Sequence, residues 1–374
     1  KLFYIASISI AFLLSLILFT KQGKTKADVI LAFWLVIIGV HLAFYYASLV
    51  ADPYYYPYLL VGYPFPLLHG PFLYFYTASL TNQHPYLKKH LAWHFIPVLL
   101  IYSVLIPFFL RPHSERLEVF ANHGEGYEWF FMIHRILVLL SGVAYTILSL
   151  WLLHGHIGNV QNRFSQTEKV NLAWLRYLIY GVGVVWLAVF FGNDVIIFSL
   201  VALFVLLLGY FGIKQVGIFT QASLIDSSVA FNVVDSSPIE EREQGKYLKS
   251  TLSSERQTEI HAKLARAMDE QRLFLNPELT IAQLAESIAV HPNHLSQVIN
   301  SMEAKTFYDF INTYRINEFK KLAAQPQNQK YTLLALAFEC GFNSKTAFYR
   351  NFKNLTGQSP TQYLKDQDIQ IQAG

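Results

Sequence analysis

Side chains that can read a pattern of hydrogen bonds recur on one face of the segment 292–302. If this segment is helical, its apolar face carries Leu295, Val298, Ile299 and Met302, and its polar face carries Asn293, His294, Gln297, Asn300 and Ser301. Side-chain amides both donate and accept, and Asn and Gln pair bidentately with the adenine edge in the major groove. An apolar back and an amide-rich front predict a helix that packs on its own domain and presents the front to nucleic acid.

A second segment, 345–356, repeats this arrangement with a basic front. Phe348, Phe352 and Leu355 form the expected inner face, while Lys345, Thr346, Tyr349, Arg350 and Lys353 face outward. An arginine can take a guanine edge with two parallel hydrogen bonds, and a lysine more often meets phosphate. We therefore expect Arg350 to read bases and Lys353 to hold the backbone.

Each of these segments follows a shorter apolar helix and a turn. Ile281, Leu284, Ala285 and Ile288 form the first such helix, and Leu334, Ala337 and Phe338 face inward in the second. His291 is suited to cap the helix that starts at Pro292, and Gly341 supplies the turn of the second pair. A long helix over 306–324 separates the pairs, so the sequence predicts two helix-turn-helix units at a fixed separation.

This pattern resembles the AraC-type family of bacterial transcription regulators over about residues 279–364. The most specific stretch is "LALAFECGFNSKTAFYRNFKNLTGQSPTQYLK". The resemblance implies double-stranded DNA as partner, with the recognition helices in successive major-groove segments about 34 Å apart. It implies base readers Asn293, Ser296 and Gln297 in the first unit and Lys345, Thr346, Tyr349 and Arg350 in the second. Ala304 departs from the family, since many members have Gly there.

Charge is distributed unevenly over this C-terminal part. Residues 304–365 hold nine Lys and Arg against three Asp and Glu, a balance of +6. Residues 256–303 hold four against six, a balance of −2. We expect the second unit and the long helix to supply most of the attraction to phosphate.

The N-terminal half has the composition of a membrane protein. The chain is 53% hydrophobic and only 14% charged, whereas an average soluble domain is about 25% charged. A membrane-spanning helix needs about 20 mostly apolar residues. Seven stretches meet this need, over 2–20, 29–50, 59–80, 91–110, 129–153, 172–192 and 195–215. These spans stand where the usual soluble effector-binding domain of the family is missing, which resembles its membrane-anchored branch.

Basic residues in the connections predict the orientation of these spans. The connections 21–28, 81–90 and 154–171 hold Lys21, Lys24, Lys26, Lys88, Lys89, Arg163 and Lys169, and the alternate set holds only Arg111 and Arg116. Because basic connections stay in the cytoplasm, the N-terminus is expected outside and the C-terminal domain inside. The expected location is the inner, cytoplasmic membrane, with several passes through the lipid bilayer.

Four polar side chains inside the predicted spans are candidates for sensing. Arg135 and Asp194 lie toward the outer side, where they can pair or Arg135 can bind an anionic ligand. His41 and His69 lie at similar depth, and histidines can bind metal or haem or sense protons. Since neither histidine has metal-ligand spacing on one helix, hydrogen bonding to neighbouring tyrosines is the favoured interpretation, and we expect no metal and no cofactor.

We divide the chain into a seven-span sensor or anchor domain (1–216), a flexible linker (217–253), a connecting helix (254–275), a DNA-binding domain (276–366) and a tail (367–374). The connecting helix carries Ile260, Leu264, Ala267 and Met268 on one face. This stripe is expected to pack on its own domain, with a homodimer or a signal-relay contact as the alternative.

The expected fold is all-α: a seven-helix transmembrane bundle followed by a cytoplasmic all-helical domain with two helix-turn-helix units. The favoured function is a membrane-bound one-component transcription regulator that senses an unknown small-molecule or membrane-borne signal. The alternative is a membrane receptor or transporter whose cytoplasmic tail is a protein-interaction module. We find no catalytic set of residues, so no enzyme is expected, and Cys340 is expected in the core.

Overall fold

The structure is a computed structural model that describes residues 1–81, 91–122, 124–167, 172–214, 252–369 and 371–372. These residues form helices joined by turns, with two isolated β-bridges and no longer strand among them. The chain divides into two compact units, one comprising residues 1–155 and 172–233 and the other 156–171 and 234–374. The all-α prediction is confirmed. The predicted linker 217–253 lies almost entirely outside the described residues.

The first unit contains the apolar helices. They are α1 (Leu2–Thr20), α2 (Lys26–Val50), α3 (Tyr56–Leu59), α4 (Pro66–Leu80), α5 (Ile96–Phe109), α6 (His113–Ala121), α7 (Glu128–Gln161), α8 (Ala173–Phe191) and α9 (Asp194–Lys214). Five helical stretches are long and apolar enough to cross a membrane: Leu2–Thr20, Lys26–Val50, Ala92–Phe109, Glu128–Gln161 and Trp174–Phe191. A sixth apolar stretch, Asp194–Tyr210, is shorter.

The predicted third span, 59–80, is not one continuous helix. Regular α-helix begins only at Pro66, and the preceding residues form short turns that include the 3₁₀ segment Leu60–Gly62. The sequence "YPFP" places Pro64 and Pro66 in this segment, and a proline removes a backbone donor and fixes φ. The apolar run was therefore correctly recognised, but its first part cannot continue a helix.

Hydroxyl groups join the first unit's helices across their apolar faces. Ser7 Oγ donates to the carbonyl of Ala202 at 3.1 Å, and Ser15 Oγ donates to the carbonyl of Ala32 at 2.9 Å. Such hydrogen bonds and close packing of small residues are how helices associate where lipid removes the hydrophobic driving force.

The second unit contains the predicted double helix-turn-helix arrangement. Its helices are α10 (Ser254–Asp269), α11 (Ile281–Ser287), α12 (Pro292–Met302), α13 (Phe307–Ala323), α14 (Leu333–Glu339), α15 (Lys345–Thr356) and α16 (Pro360–Asp366). Their starts are fixed by side-chain caps, since Thr280, Thr306, Thr332, Ser344 and Ser359 each accept from a backbone N–H of the next turn. His291 caps α12 in the same way, as predicted.

Two apolar cores support the two helix pairs. The first contains buried residues from α10, α11, α12 and the start of α13, and the second contains residues from the end of α13 and from α14, α15 and α16. All four residues of the α10 stripe, Ile260, Leu264, Ala267 and Met268, are buried in the first core. This confirms packing on its own domain, so the stripe is not free to bind a second copy.

Three residues predicted to face inward are instead exposed: Met302, Phe338 and Leu355. On α14 the buried residues are Leu336 and Ala337, of which only Ala337 was predicted to face inward. Helical periodicity fixes which residues share a face, but in a helix of two turns it does not fix which apolar neighbour is deepest.

Ala304 has a left-handed backbone, with φ of 52°. A side chain at such a φ is strained by roughly 1–3 kcal/mol, and this strain exceeds the entropy that glycine loses on folding. We expect Ala304→Gly to raise the free energy of unfolding by about 1 kcal/mol, measured by denaturant unfolding. Ala282→Gly, within the regular helix α11, is the matched control and should lower it by about 1 kcal/mol. A loss at both positions would contradict the strain argument.

Candidate functional site

The two predicted recognition helices, α12 and α15, each have one buried and one accessible face. Leu295, Val298 and Ile299 are buried on α12, and Ala347, Phe348, Asn351 and Phe352 are buried on α15. None of the nine predicted contact residues is buried; they are Asn293, His294, Ser296, Gln297, Lys345, Thr346, Tyr349, Arg350 and Lys353. The structure thus brings four of them together on α12 and five on α15.

The front of α12 is uncharged and suited to hydrogen bonding. Asn300 Nδ2 lies 3.5 Å from Ser296 Oγ, so polar side chains of two successive turns are in contact. Burial, with the nearby charges of His291 and Arg256, lowers the pKa of His294, which keeps that imidazole neutral at pH 7. A neutral row of amides, hydroxyl and imidazole can donate and accept at base edges.

The front of α15 is cationic, and two of its side chains are already oriented. Arg350 Nη2 donates to the hydroxyl of Tyr308 at 2.8 Å, and Lys345 Nζ lies 5.7 Å from the centroid of the Tyr349 ring. An arginine that is held by one hydrogen bond still has donors left for a guanine edge or a phosphate.

Tyr308 connects the long helix α13 to the back of α15. This role was not predicted from the sequence. Its buried hydroxyl accepts from Arg350 Nη2 and, at 2.6 Å, from Asn351 Nδ2. The position of Arg350 therefore depends on a residue 42 positions earlier in the chain. The only sequence signal is a tyrosine next to an inward phenylalanine at the start of α13.

Arg315 lies at the centre of the second unit and is fully buried. Its Nε donates to the carbonyl of Phe274 at 2.7 Å, and its Nη2 donates to the carbonyl of Asn276 at 2.7 Å. Burial lowers the pKa of Arg315 to about 10, so it stays protonated at pH 7. The charge balance of residues 304–365 includes Arg315 among the cations predicted to attract phosphate. That prediction is wrong for Arg315, because its side chain is buried.

The segment 163–167, which connects α7 to α8, packs against this arginine. Ser165 is buried; its N–H donates to the carbonyl of Leu279 at 3.2 Å, and its Oγ accepts from Arg315 Nη2 at 3.2 Å. The N–H of Ile281 donates to the carbonyl of Arg163 at 3.0 Å, which completes a short antiparallel bridge between Phe164 and Thr280. No local pattern in the sequence predicts this contact.

The first unit contains a cavity of about 510 Å³ among its helices. All four predicted sensing residues line it: His41, His69, Arg135 and Asp194. Among the described residues, no ion pair within 4.0 Å joins Arg135 to Asp194. His41 Nδ1 lies 3.0 Å from His69 Nε2, so the two histidines bind each other rather than neighbouring tyrosines.

No metal centre is formed by the part of the chain that the structure describes, since it contains no group of three His, Cys, Asp or Glu residues at ligand distances. Cys340 is buried, as predicted, and burial raises the pKa of its thiol to about 12. A thiol that is protonated at physiological pH is a poor nucleophile.

The family match to known proteins lies within the second unit. Residues 284–366 match a family described as "Helix-turn-helix domain". An uncharacterized HTH-type transcriptional regulator of Staphylococcus aureus (strain COL) is 30% identical over 120 residues, which are 32% of this chain and 16% of that protein. The melibiose operon regulatory protein of Escherichia coli (strain K12) is 30% identical over 87 residues, 23% of this chain and 28% of that protein. No solved structure matches.

The chain therefore covers well under two thirds of either relative. The family match lies in its C-terminal part. Within that part, the family match, the two capped helix pairs and the two apolar cores agree. The C-terminal part of this chain, over residues 284–366, is a helix-turn-helix domain of the AraC type.

Proposed function

We propose that this protein is a membrane-bound one-component transcription regulator, whose C-terminal domain binds promoter DNA sequence-specifically and whose N-terminal helices sense a signal. One observation carries the proposal: a helix-turn-helix domain of the AraC type follows five helices that are long and apolar enough to span a membrane. In this proposal the apolar helices receive the signal and the helix-turn-helix domain binds DNA, so one chain carries both the input and the output. The relatives named as transcriptional regulators support the output.

In this proposal α12 and α15 enter the major groove. Asn293, Ser296 and Gln297 read bases from α12, and Lys345, Thr346, Tyr349 and Arg350 read them from α15. His294 and Lys353 line the same fronts and contact the sugar-phosphate backbone or flanking base edges. The accessible polar fronts and buried apolar backs of both helices support this assignment.

The proposed location is the cytoplasmic membrane, with the N-terminus outside and the DNA-binding domain inside. The apolar helices support the insertion, and the excess of Lys and Arg in alternate connections supports the orientation. Seven spans are proposed: the five long apolar stretches, α4 and the apolar part of α9.

The experiment is recovery of DNA bound to the full chain in membranes, followed by sequencing. A common sequence motif among the recovered fragments is the expected result, and Gln297→Ala or Arg350→Ala should weaken its enrichment. Unchanged occupancy in both variants would refute the base-reading assignment. The absence of any salt-dependent affinity for DNA would refute DNA binding itself, because phosphate contacts release counterions.

A further inference from the structure

The cavity of the first unit combines a largely apolar lining with a few polar groups. Most of its lining is aliphatic or aromatic, including Trp34, Trp186 and Phe198. Six lining residues are polar or charged: His41, Tyr63, His69, His134, Arg135 and Asp194. A volume of about 510 Å³ is within the range of small-molecule sites, roughly 300–1,000 Å³.

One buried polar atom has no partner. His134 is 5% exposed, and its Nε2 has no hydrogen bond among the described residues. A buried polar atom that lacks a hydrogen bond retains the cost of its desolvation. Because His134 lines the cavity, a bound ligand can supply the missing bond.

The histidine pair gives the cavity a donor with a defined direction. The indole N–H of Trp34 can only donate, and it lies 3.3 Å from His69 Nδ1, which must therefore accept. Neutral His69 then donates from Nε2 to His41 Nδ1, at 3.0 Å. His41 is left with its proton on Nε2, available to an acceptor on a ligand.

The two charged lining residues set the charge of the ligand. Arg135 and Asp194 are both accessible, line the same cavity and form no ion pair with each other. An anion attracted by Arg135 would be repelled by Asp194, and a cation attracted by Asp194 would be repelled by Arg135. A group that accepts from Arg135 and donates to Asp194, and that carries no net charge, satisfies both.

The lining residues also share one side of the bundle. They come from the middle and later parts of α2 and α8 and from the earlier parts of α4, α7 and α9. Consecutive spans alternate in direction, so these parts meet at the side that the distribution of basic residues predicts to be outer.

We infer that this cavity binds a net-neutral amphiphile, with an apolar body among the aromatic side chains and a hydroxylated head at Arg135 and Asp194. The inference deepens the proposed function, because it names the class of signal that the membrane half would take. It extends the four predicted sensing residues by His134 and Trp34.

The test uses the full chain in detergent micelles, with monolaurin, dodecanoate and dodecylamine as neutral, anionic and cationic probes. Native mass spectrometry over a titration gives the affinity for each. Saturable binding of monolaurin, tighter than that of either charged probe, is expected. Val185→Trp fills the cavity and should weaken binding at least about tenfold, or 1.4 kcal/mol. Val184→Trp, half exposed on the same helix and outside the lining, is the matched control.

Charge exchange makes the test independent of folding losses. Asp194→Asn should raise affinity for dodecanoate about tenfold, and Arg135→Gln should do so for dodecylamine. A preference of the unaltered chain for dodecanoate, or equal binding by the two tryptophan variants, would overturn the inference. DNA recovery from the same preparations is read separately, so a failure of the proposed function is distinguishable from a failure of this site.

A second inference comes from independent observations on the segment 163–167. This segment contacts the DNA-binding domain at three places. It pairs with Leu279 and Ile281 at the start of α11, its Ser165 carbonyl accepts from Asn312 Nδ2 of α13 at 3.3 Å, and Gln166 Oε1 accepts from Asn343 Nδ2 just before α15.

We propose that the docked segment 163–167 holds the two helix-turn-helix units in one relative arrangement, and that α7 acts on DNA affinity through it. The segment follows α7 directly in the chain, and α7 lines the cavity. A shift of α7 would therefore strain the contacts of Ser165 with Leu279 and Arg315. This inference also rests on the proposed function.

The docking is tested in the full chain with Gln166→Cys and Asn343→Cys, whose side chains are in contact. Mild oxidation should form a disulfide between them, while the pair Gln166→Cys with Asn354→Cys should stay reduced. Ser165→Pro removes the N–H that binds Leu279 and should lower affinity for a recovered DNA fragment about tenfold. Oxidation of the contacting cysteine pair in that variant should restore it.

Two results would overturn the second inference. One is equal cross-linking of both cysteine pairs, which would show that the segment is not docked. The other is unchanged DNA affinity in Ser165→Pro, which would show that the docking has no part in recognition. The cross-linking result does not depend on DNA and so stands even if the proposed function fails.

Discussion

Replacing Arg315 by methionine is expected to lower the free energy of unfolding of the C-terminal domain by about 3–5 kcal/mol. The guanidinium donates to the carbonyls of Phe274 and Asn276 and to both oxygens of Ser165. Methionine has a similar length but no donor. The carbonyls remain buried, so the variant retains their desolvation cost and loses the hydrogen bonds that offset it.

Removing a buried charge also relieves the cost of desolvating that charge, and some buried ion pairs are replaced by apolar residues without loss. That relief is incomplete here because most partners of Arg315 are backbone carbonyls, which no substitution at this position removes. The measurement is pulse proteolysis of the full chain over a urea series. Arg266→Met, at an exposed position on α10, is the control and should change stability by less than about 0.5 kcal/mol. Equal midpoints for the two variants would contradict the role of Arg315.

Arg350→Lys is expected to reduce affinity for the preferred sequence by about 1–3 kcal/mol while leaving affinity for other sequences nearly unchanged. The substitution keeps the positive charge but loses the planar pair of donors, together with the hydrogen bond to Tyr308. Discrimination between sequences should fall, whereas the dependence of binding on salt should not. Titrations of preferred and scrambled DNA at several salt concentrations measure both.

Lys353→Ala separates the two kinds of contact. A lysine that meets only phosphate contributes to every sequence alike, so its loss should weaken binding uniformly and reduce the salt slope by about 1. Lys353 is exposed in the last turn of α15 and lies outside the apolar core. If Arg350→Lys instead weakened binding to all sequences equally, Arg350 would be a backbone contact and the reader would lie elsewhere on α15.

The helix-turn-helix domain was predictable because its determinants are local. Apolar residues recur at helical spacing, caps such as His291 and Thr332 precede each helix, and Gly341 marks the turn with φ of 90°. The added Cβ of any other residue at Gly341 would lie 2.6 Å from the carbonyl oxygen of Phe274. Each of these features acts within a few residues, which is the range that sequence patterns describe.

The connections between distant segments were not predictable. Ser165 and Arg315 are 150 residues apart, and only the folded chain shows that they meet. Arg315 lies between apolar positions of α13. Because arginine is rarely buried, the sequence predicted an exposed cation at this position. Helices α1, α2 and α9 are apolar on nearly all sides, so periodicity could not orient His41 toward His69.

The buried state of Cys340 has a practical consequence for mapping the protein. Cys340 is the only cysteine in the chain, is fully enclosed and has a thiol that remains protonated at physiological pH. A thiol reagent added to intact cells would therefore react with an introduced cysteine and not with the native one. Single cysteines placed in the connections on either side of each span can be labelled without first removing Cys340, so the unaltered chain already serves as the background for determining which connections face outward.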